Sequence, residues 1–334
     1  MTADGDSGAG FSPDQARTTY STMLLVRRFE EKVAQMYGLG LIGGYCHLYI
    51  GQEAIIAGVA AHFRDGDQMI TGYRDHAHAL ACGVDPRRIM AELAGRRNGL
   101  SKGKGGSMHL FAPQRGFFGG HGIVGAQVSL GTGLAFAMQH QNKMQHQNKN
   151  GVVICFFGDG AANQGQVYEC FNMAQLWNLP ILYVIENNRY AMGTPVKRAS
   201  AVTDFSRRGT AFDVPGARVD GMNVAAVHAA AGVALAAIRA GGGPRILEMQ
   251  TYRYRGHSMA DPAKYRSAEE VQKMRETQDP IDQLRDWMLR LGQMDEPAIK
   301  ALEIQVRARV SEAAEYAAHQ PEPDAAELTT DVLA

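Results

Sequence analysis

Two short, uninterrupted apolar runs separated by one helix-length stretch constrain this chain more than any other feature. The first is Val152-Val153-Ile154-Cys155-Phe156-Phe157 and the second is Ile181-Leu182-Tyr183-Val184-Ile185. Both are rich in β-branched and aromatic residues, which suit a pleated strand. Residues 163–177 between them read as a helix. Strand, helix, strand implies a crossover connection, and a crossover makes the two strands parallel. Neither run alternates with polar residues, so both faces of the sheet must be covered. The expected fold class is α/β, a mostly parallel sheet with helices on both faces.

The residues that close each run set the chemistry. Gly158-Asp159-Gly160 closes the first and Glu186-Asn187-Asn188 closes the second. Asp159 and Asn188 then lie at the carboxyl ends of parallel strands, where open α/β sheets bind ligands. A carboxylate and an amide oxygen are hard donors suited to Mg²⁺, which takes its other ligands from phosphate and water. Gly158 and Gly160 let backbone N–H groups approach a phosphate. The residues alone describe a site for a metal diphosphate.

Composition narrows the remaining classes. The 34 Lys and Arg balance the 34 Asp and Glu, which leaves no electrostatic footprint for nucleic acid or a membrane surface. Cys46, Cys82, Cys155 and Cys170 form no close pair, as expected for reduced thiols. The start Met1-Thr2-Ala3-Asp4-Gly5-Asp6 matches neither a secretory signal nor an Arg-rich transit peptide, so a bacterial-type cytoplasmic protein is expected. The apolar stretch 224–240 is broken by His228 and Arg239 and reads as a buried helix rather than a membrane span.

Residues 1–11 are small and polar and are expected to be disordered; 12–334 are expected to form a single α/β domain with C-terminal helices. Ser12 before Pro13 is a helix start. Residues 69–71, 217–220 and 245–250 read as further strands, and 281–291 and 297–318 as amphipathic helices. Residues 98–123 read as one long glycine-rich loop, of the length that usually carries function. The segment 139–150 repeats His-Gln-Asn-Lys and reads as an exposed helix end or loop. The acidic tail from Pro321 is expected to be loose. Gly120-His121-Gly122-Ile123-Val124-Gly125 fits a dinucleotide fingerprint, but no strand is expected before it and no acidic residue follows at the required distance. Lys102 and Lys104 lack the spacing of a nucleotide phosphate loop, and Gly103–His109 is read as shaping a channel mouth.

The blocks Gly158-Asp159-Gly160-Ala161-Ala162-Asn163-Gln164-Gly165 and Glu186-Asn187-Asn188-Arg189-Tyr190-Ala191-Met192-Gly193-Thr194 resemble the thiamine diphosphate motif. They are similar to one branch of the thiamine diphosphate-dependent 2-oxo acid dehydrogenase family, the alpha subunit of the decarboxylating component of pyruvate dehydrogenase. The resemblance extends through His47-Leu48-Tyr49-Ile50-Gly51-Gln52-Glu53-Ala54, Tyr73-Arg74-Asp75-His76, Gly103-Lys104-Gly105-Gly106-Ser107-Met108-His109, Gly122-Ile123-Val124-Gly125-Ala126-Gln127 and Tyr252-Arg253-Tyr254-Arg255-Gly256-His257-Ser258.

It implies a thiamine diphosphate-binding fold with thiamine diphosphate and Mg²⁺ as cofactors. Asp159, Asn188 and the Tyr190 carbonyl would hold the metal. Tyr73, Arg74, Gly158, Gly160, Ala161, Arg253 and His257 would hold the diphosphate side. Backbone groups of Gly122 and Val124 would bind the aminopyrimidine, with Ile123 under the bent cofactor. His257, His47 and His76 would stand near the reactive carbon as catalytic candidates. The implied activity is oxidative decarboxylation of pyruvate, with acetyl transfer to the lipoyl group of a dihydrolipoyl acetyltransferase. A sister activity on acetoin or branched-chain 2-oxo acids is the alternative. The resemblance also implies that a beta subunit donates the Glu facing the cofactor ring, within an alpha2beta2 heterotetramer.

Overall fold

The computed structural model describes residues 11–144 and 150–332. Its main sheet has strands β1 (Gln68–Gly72), β2 (Phe117–His121), β3 (Val153–Gly158), β4 (Ile181–Asn187), β7 (Gly216–Asp220) and β8 (Arg245–Gln250), while β5 (Tyr190–Ala191) and β6 (Thr194–Pro195) form a small hairpin. The sheet order is β2-β1-β3-β4-β8-β7, and every pairing in it is parallel. The helices are α1 (Pro13–Gly38), α2 (Glu53–Ala60), α3 (His76–Ala81), α4 (Pro86–Leu93), α5 (Ala126–Met144), α6 (Gly165–Leu176), α7 (Val196–Ala199), α8 (Val224–Arg239), α9 (Ala268–Gln278), α10 (Pro280–Arg290) and α11 (Glu296–His319).

Strand geometry explains the two core layers. Successive side chains of a strand point to opposite faces. Ile154, Phe156, Leu182 and Val184 enter one core with α1, α2 and α8; Val153, Cys155, Phe157, Tyr183 and Ile185 enter the other with α5 and α6. All seven residues of β4 are buried, as a central strand covered on both faces requires. Each large apolar side chain so buried contributes roughly 1.5–3 kcal/mol.

The expected N-terminal signal is realised as a capping box. Ser12 Oγ accepts from Gln15 N–H at 3.3 Å, Gln15 Oε1 accepts from Ser12 N–H at 2.9 Å, and Pro13 opens the helix. Of the segment expected to be disordered, residues 1–10 lie outside the described residues. Phe11 departs from the expectation: it is buried, with its ring 4.5 Å from that of His228. The repeat at 139–150 continues α5 to Met144, and residues 145–149 lie outside the described residues.

Three expectations are corrected. The long loop contains the edge strand β2, which pairs with β1 because the turn Ala112–Phe117 returns the chain alongside the sheet. Helices α3 and α9 stand where no element was expected. The tail is not loose. Glu322 pairs with Arg96 at 3.0 Å, Asp324 with Arg97 at 2.7 Å, and Asp331 with Lys102 and Lys104 at 2.8 and 2.7 Å. The two lysines of the glycine-rich loop thus face the tail's carboxylates. Among the described residues no helix is long and apolar enough to cross a membrane.

Candidate active site

The register of β3 and β4 builds the site. Gly158 pairs with Glu186, so Asp159 and the Asn187-Asn188 turn leave the sheet on neighbouring strands at the same level. A Cβ on Gly160 would stand 2.7 Å from the Ala191 side chain, so only glycine lets the hairpin β5–β6 close over this turn. A Cβ on Gly158 would enter open space, which marks the backbone as bordering a cavity. That cavity measures about 300 Å³, and Tyr73, Arg74, Val124, Gly158, Asp159, Gly160, Ala161, Asn188, Tyr190, Arg253 and His257 are among its lining residues.

Oxygen atoms converge at its floor. Asp159 is buried, and desolvation pushes its carboxyl up to about 6, while Arg253 acts in the opposite sense. Asn188 is oriented from behind: its Nδ2 donates to Gln52 Oε1 at 2.9 Å. That leaves Oδ1 to accept from Arg253 Nη1 at 3.0 Å, and the Tyr190 carbonyl accepts from the same nitrogen at 3.1 Å. Arg189 has a left-handed φ of 74°, which turns the chain so that Tyr190 O and Asn188 Oδ1 face one point. One buried carboxylate and two neutral oxygens make an all-oxygen donor set of the kind a small hard dication takes.

Two cations line the same cavity. Arg74 is buried, and its guanidinium donates to Leu48 O at 2.5 Å and His257 O at 2.9 Å. Arg253 is almost wholly buried and also donates to Met192 O and Tyr265 Oη. Among the described residues, neither guanidinium forms an ion pair with a carboxylate. Burial and the charge of Arg253 lower Arg74 to about 10. Two buried, planar cations aimed at one cavity match the geometry of a diphosphate.

The histidines divide. His257 lines the cavity, and its ring lies 5.7 Å from Tyr73 and 5.2 Å from His47. Burial, then Arg74 and Arg253, lower His257 to about 4; burial and Arg74 lower His47 to about 2. Both imidazoles are therefore neutral at pH 7, and each has a buried Nδ1 with no protein partner. His47 packs on Tyr73 at 4.5 Å without itself lining the cavity. His76 departs from expectation. It is fully buried away from the cavity, with Nδ1 2.9 Å from Glu30 Oε2 and Nε2 2.8 Å from Ser107 Oγ. Burial opposes its charge, but Glu30, Asp75 and the Ser107 carbonyl together outweigh burial and raise its pKa. Both ring nitrogens are committed, so His76 ties α1 and α3 to the 101–109 loop.

Gly122-Ile123-Val124 comes directly after β2, so a strand does precede the Gly-rich fingerprint, contrary to expectation. Rejection of a dinucleotide site then rests on the missing acidic residue. Val124 lines the cavity; Gly122 and Ile123 do not, and Ile123 is 76% exposed at its lip.

Sequence reasoning missed four contributors. Gln52 orients Asn188, and its only signal was its place in the block that begins at His47. Glu186 lines the cavity, accepts from Tyr49 Oη, and is pushed up to about 7 by burial. Glu270 on α9 accepts from Tyr190 Oη at 3.1 Å and Tyr252 Oη at 2.7 Å, and Tyr265 anchors Arg253 at 3.0 Å. Nothing in the spacing of Glu270 or Tyr265 signals those contacts.

A parallel sheet whose central strand tips present oxygen donors beside two buried guanidiniums defines an enzyme of the cofactor-diphosphate-binding class. The model of the dehydrogenase E1 component family matches residues 21–326. A protein of Rhizobium meliloti (strain 1021) named pyruvate dehydrogenase E1 component subunit alpha is 60% identical over 329 residues, covering 98% of this chain and 93% of that protein. The one so named in Zymomonas mobilis is 55% identical, over 94% of this chain and 87% of its own length. A mitochondrial one of Sminthopsis macroura is 47% identical, over 92% and 83%. This chain belongs to the dehydrogenase E1 component family.

Proposed function

We propose that this chain is the alpha subunit of pyruvate dehydrogenase, acting with thiamine diphosphate in the oxidative decarboxylation of pyruvate. The observation that carries this is the pairing of Gly158 with Glu186, which sends Asp159 and Asn188 off adjacent parallel strands into a cavity shared with Arg74 and Arg253. The family and the names of its close members support the same reading.

Thiamine diphosphate supplies the carbon nucleophile and the electron sink. Asp159, Asn188 Oδ1 and the Tyr190 carbonyl hold Mg²⁺ against the diphosphate. Arg74 and Arg253 neutralise the phosphate oxygens, and Tyr73 and the backbone of Gly158, Gly160 and Ala161 close around them. Gly122 and Val124 present backbone groups to the aminopyrimidine, with Ile123 as an apolar support. His257 is the chief proton-handling residue, because a neutral imidazole at the cavity wall can both accept and donate. His47 packs behind it and fixes its ring. A beta subunit completes the site with a carboxylate facing the ring, in an alpha2beta2 assembly. The acetyl unit passes to a lipoyl-bearing dihydrolipoyl acetyltransferase in the cytoplasm. Residues 12–334 act as one unit.

The test is co-purification with the beta subunit followed by a thiamine diphosphate-dependent assay. The pair should turn over pyruvate faster than 3-methyl-2-oxobutanoate, and the isolated chain should turn over neither. Pyruvate turnover by the isolated chain would refute the divided site, and preference for the branched substrate would refute the assignment.

A further inference from the structure

The end of β2 is rich in glycine, and the chain packed behind it gives the reason. A Cβ on Gly119 would overlap the Phe111 ring, and one on Gly120 would overlap the Asp75 carboxyl. A Cβ on Gly122 would stand 3.3 Å from His109 Cε1 and 3.5 Å from its Nε2, so the imidazole rests against the backbone of the turn that follows the strand. Phe111 and Asp75 act here as steric stops. His109 adds direction, because its Nδ1 lies 3.3 Å from the Gly120 carbonyl. A carbonyl only accepts, so Nδ1 carries the hydrogen and donates it.

His109 itself stands on a fixed base. Ser101 Oγ donates to the His109 carbonyl at 2.7 Å, and the adjacent Leu110 N–H donates to Asp75 Oδ2 at 3.2 Å. Glu92 in turn accepts the Ser101 N–H at 2.7 Å. The turn runs from this anchor to the start of α5, where Ile123 O accepts from Ala126 N–H at 3.1 Å. Between the two anchors the side chains give little purchase: Ile123 is 76% exposed and Val124 42%. Val124 and Gly125 nevertheless form part of the cavity wall. On the β2 side, the position of that wall is set by His109.

We propose that His109 is a positioning residue: by holding Gly120 and backing Gly122 it fixes the Gly122–Val124 backbone, and with it the grip on the aminopyrimidine end of the cofactor. This rests on the proposed reading of the site, in which that backbone meets the aminopyrimidine, and adds the side chain that sets its place. The diphosphate end is lined by other elements, through Arg74, Arg253 and the Gly158–Ala161 turn, and is insulated from a change at His109.

Calorimetric titration of the alpha-beta complex in Mg²⁺ reads the two ends separately, with thiamine diphosphate and inorganic diphosphate as the probes. His109→Ala should bind thiamine diphosphate about three- to ten-fold more weakly than wild type, the net worth of one hydrogen bond. Inorganic diphosphate should bind the variant as it binds wild type. His109→Asn, whose amide nitrogen falls near the place of Nδ1, should recover most of the loss; His109→Gln, whose nitrogen falls near that of Nε2, should not. Gly122→Ala should cost less in the His109→Ala background than in wild type, because the ring that its Cβ would meet is gone. The inference is overturned if His109→Ala binds thiamine diphosphate as wild type does, if both probes weaken by the same factor, or if the Asn and Gln variants behave alike. Should His109→Ala fail to retain the beta subunit, the Asn and Gln variants decide under the same criteria. Wild type that binds thiamine diphosphate no tighter than inorganic diphosphate would overturn the cofactor reading itself, and the role of His109 with it.

Discussion

At the level of single residues the site is a set of oxygens whose directions are fixed from behind. Asn188 could present either its oxygen or its nitrogen to the cavity. Arg253 and Gln52 decide together: Arg253 Nη1 can only donate, which turns Oδ1 toward it, and Gln52 Oε1 accepts from Nδ2 on the other side. Gln52 is wholly buried, so no solvent competes for that bond. Partners of this kind behind a metal ligand are worth about 10–100-fold in metal affinity. Gln52→Leu should therefore weaken Mn²⁺ binding by about that factor and raise the apparent KM for thiamine diphosphate, and by leaving Asn188 Nδ2 buried without its acceptor it should also cost about 1–3 kcal/mol of stability. Titration of Mn²⁺ against wild type and variant checks it, and equal affinities would show that Asn188 needs no support. Asp159, Asn188 and the glycines beside them were visible in the sequence because strand ends are visible. The role of Gln52 was not, since its contact joins residues 136 positions apart. His76 stands apart from its neighbours: Tyr73 and Arg74 line the cavity, whereas His76, the first residue of α3, turns its ring to Glu30.

At the level of elements, what the sequence displayed well was whatever carries its own period. The buried strands β3 and β4, the capped start of α1 and the amphipathic α10 and α11 were all expected close to where they lie. Strand β2 was hidden because Phe-Phe-Gly-Gly-His has little intrinsic strand preference and is a strand only by pairing with β1. Helix α3 has six residues, too few to show a period, whereas α9 opens on Ser267-Ala268-Glu269-Glu270, a capping-box pattern that was legible and was passed over, with Ser267 Oγ accepting from Glu270 N–H at 3.1 Å. The packing of α1, α2 and α10 turns on one buried hub that is silent in sequence. Arg27 donates to Glu53 at 2.5 and 3.0 Å and to Asp279 at 3.1 and 3.0 Å, with its guanidinium 5.5 Å from the centroid of Tyr254. The hub thereby fixes the chain that carries Arg253. Arg27→Ala leaves two buried carboxylates without their cation, a change that costs about 3–5 kcal/mol. Urea unfolding should show that loss, and the Arg27→Ala, Glu53→Gln double variant should recover part of it. No recovery would mean that the hub acts through packing alone.

At the scale of the whole molecule, the last described residues return to the glycine-rich loop. Arg97 N–H donates to Pro321 O at 2.9 Å, and the side chains of Arg96, Arg97, Lys102 and Lys104 meet carboxylates of the 322–331 segment. Composition hid this, because balanced charge says nothing of where the charges sit. On the other side of the loop, Glu92 accepts backbone N–H groups from Ser101, Gly103, Gly105 and Gly106. The two fastenings differ in kind. Glu92 is buried and shielded from salt, whereas the pairs to the tail are exposed and screened once the Debye length falls to about 3 Å at 1 M salt. Raising salt should release the tail while leaving the loop in place. Limited proteolysis should then cut near residues 322–331 faster at 1 M than at 0.1 M NaCl, with decarboxylation rates unchanged. Replacing Asp331 and Glu327 together by Asn and Gln should give the fast cleavage already at low salt. Activity that falls in step with tail release would mean that the tail, and not Glu92, holds the loop in place.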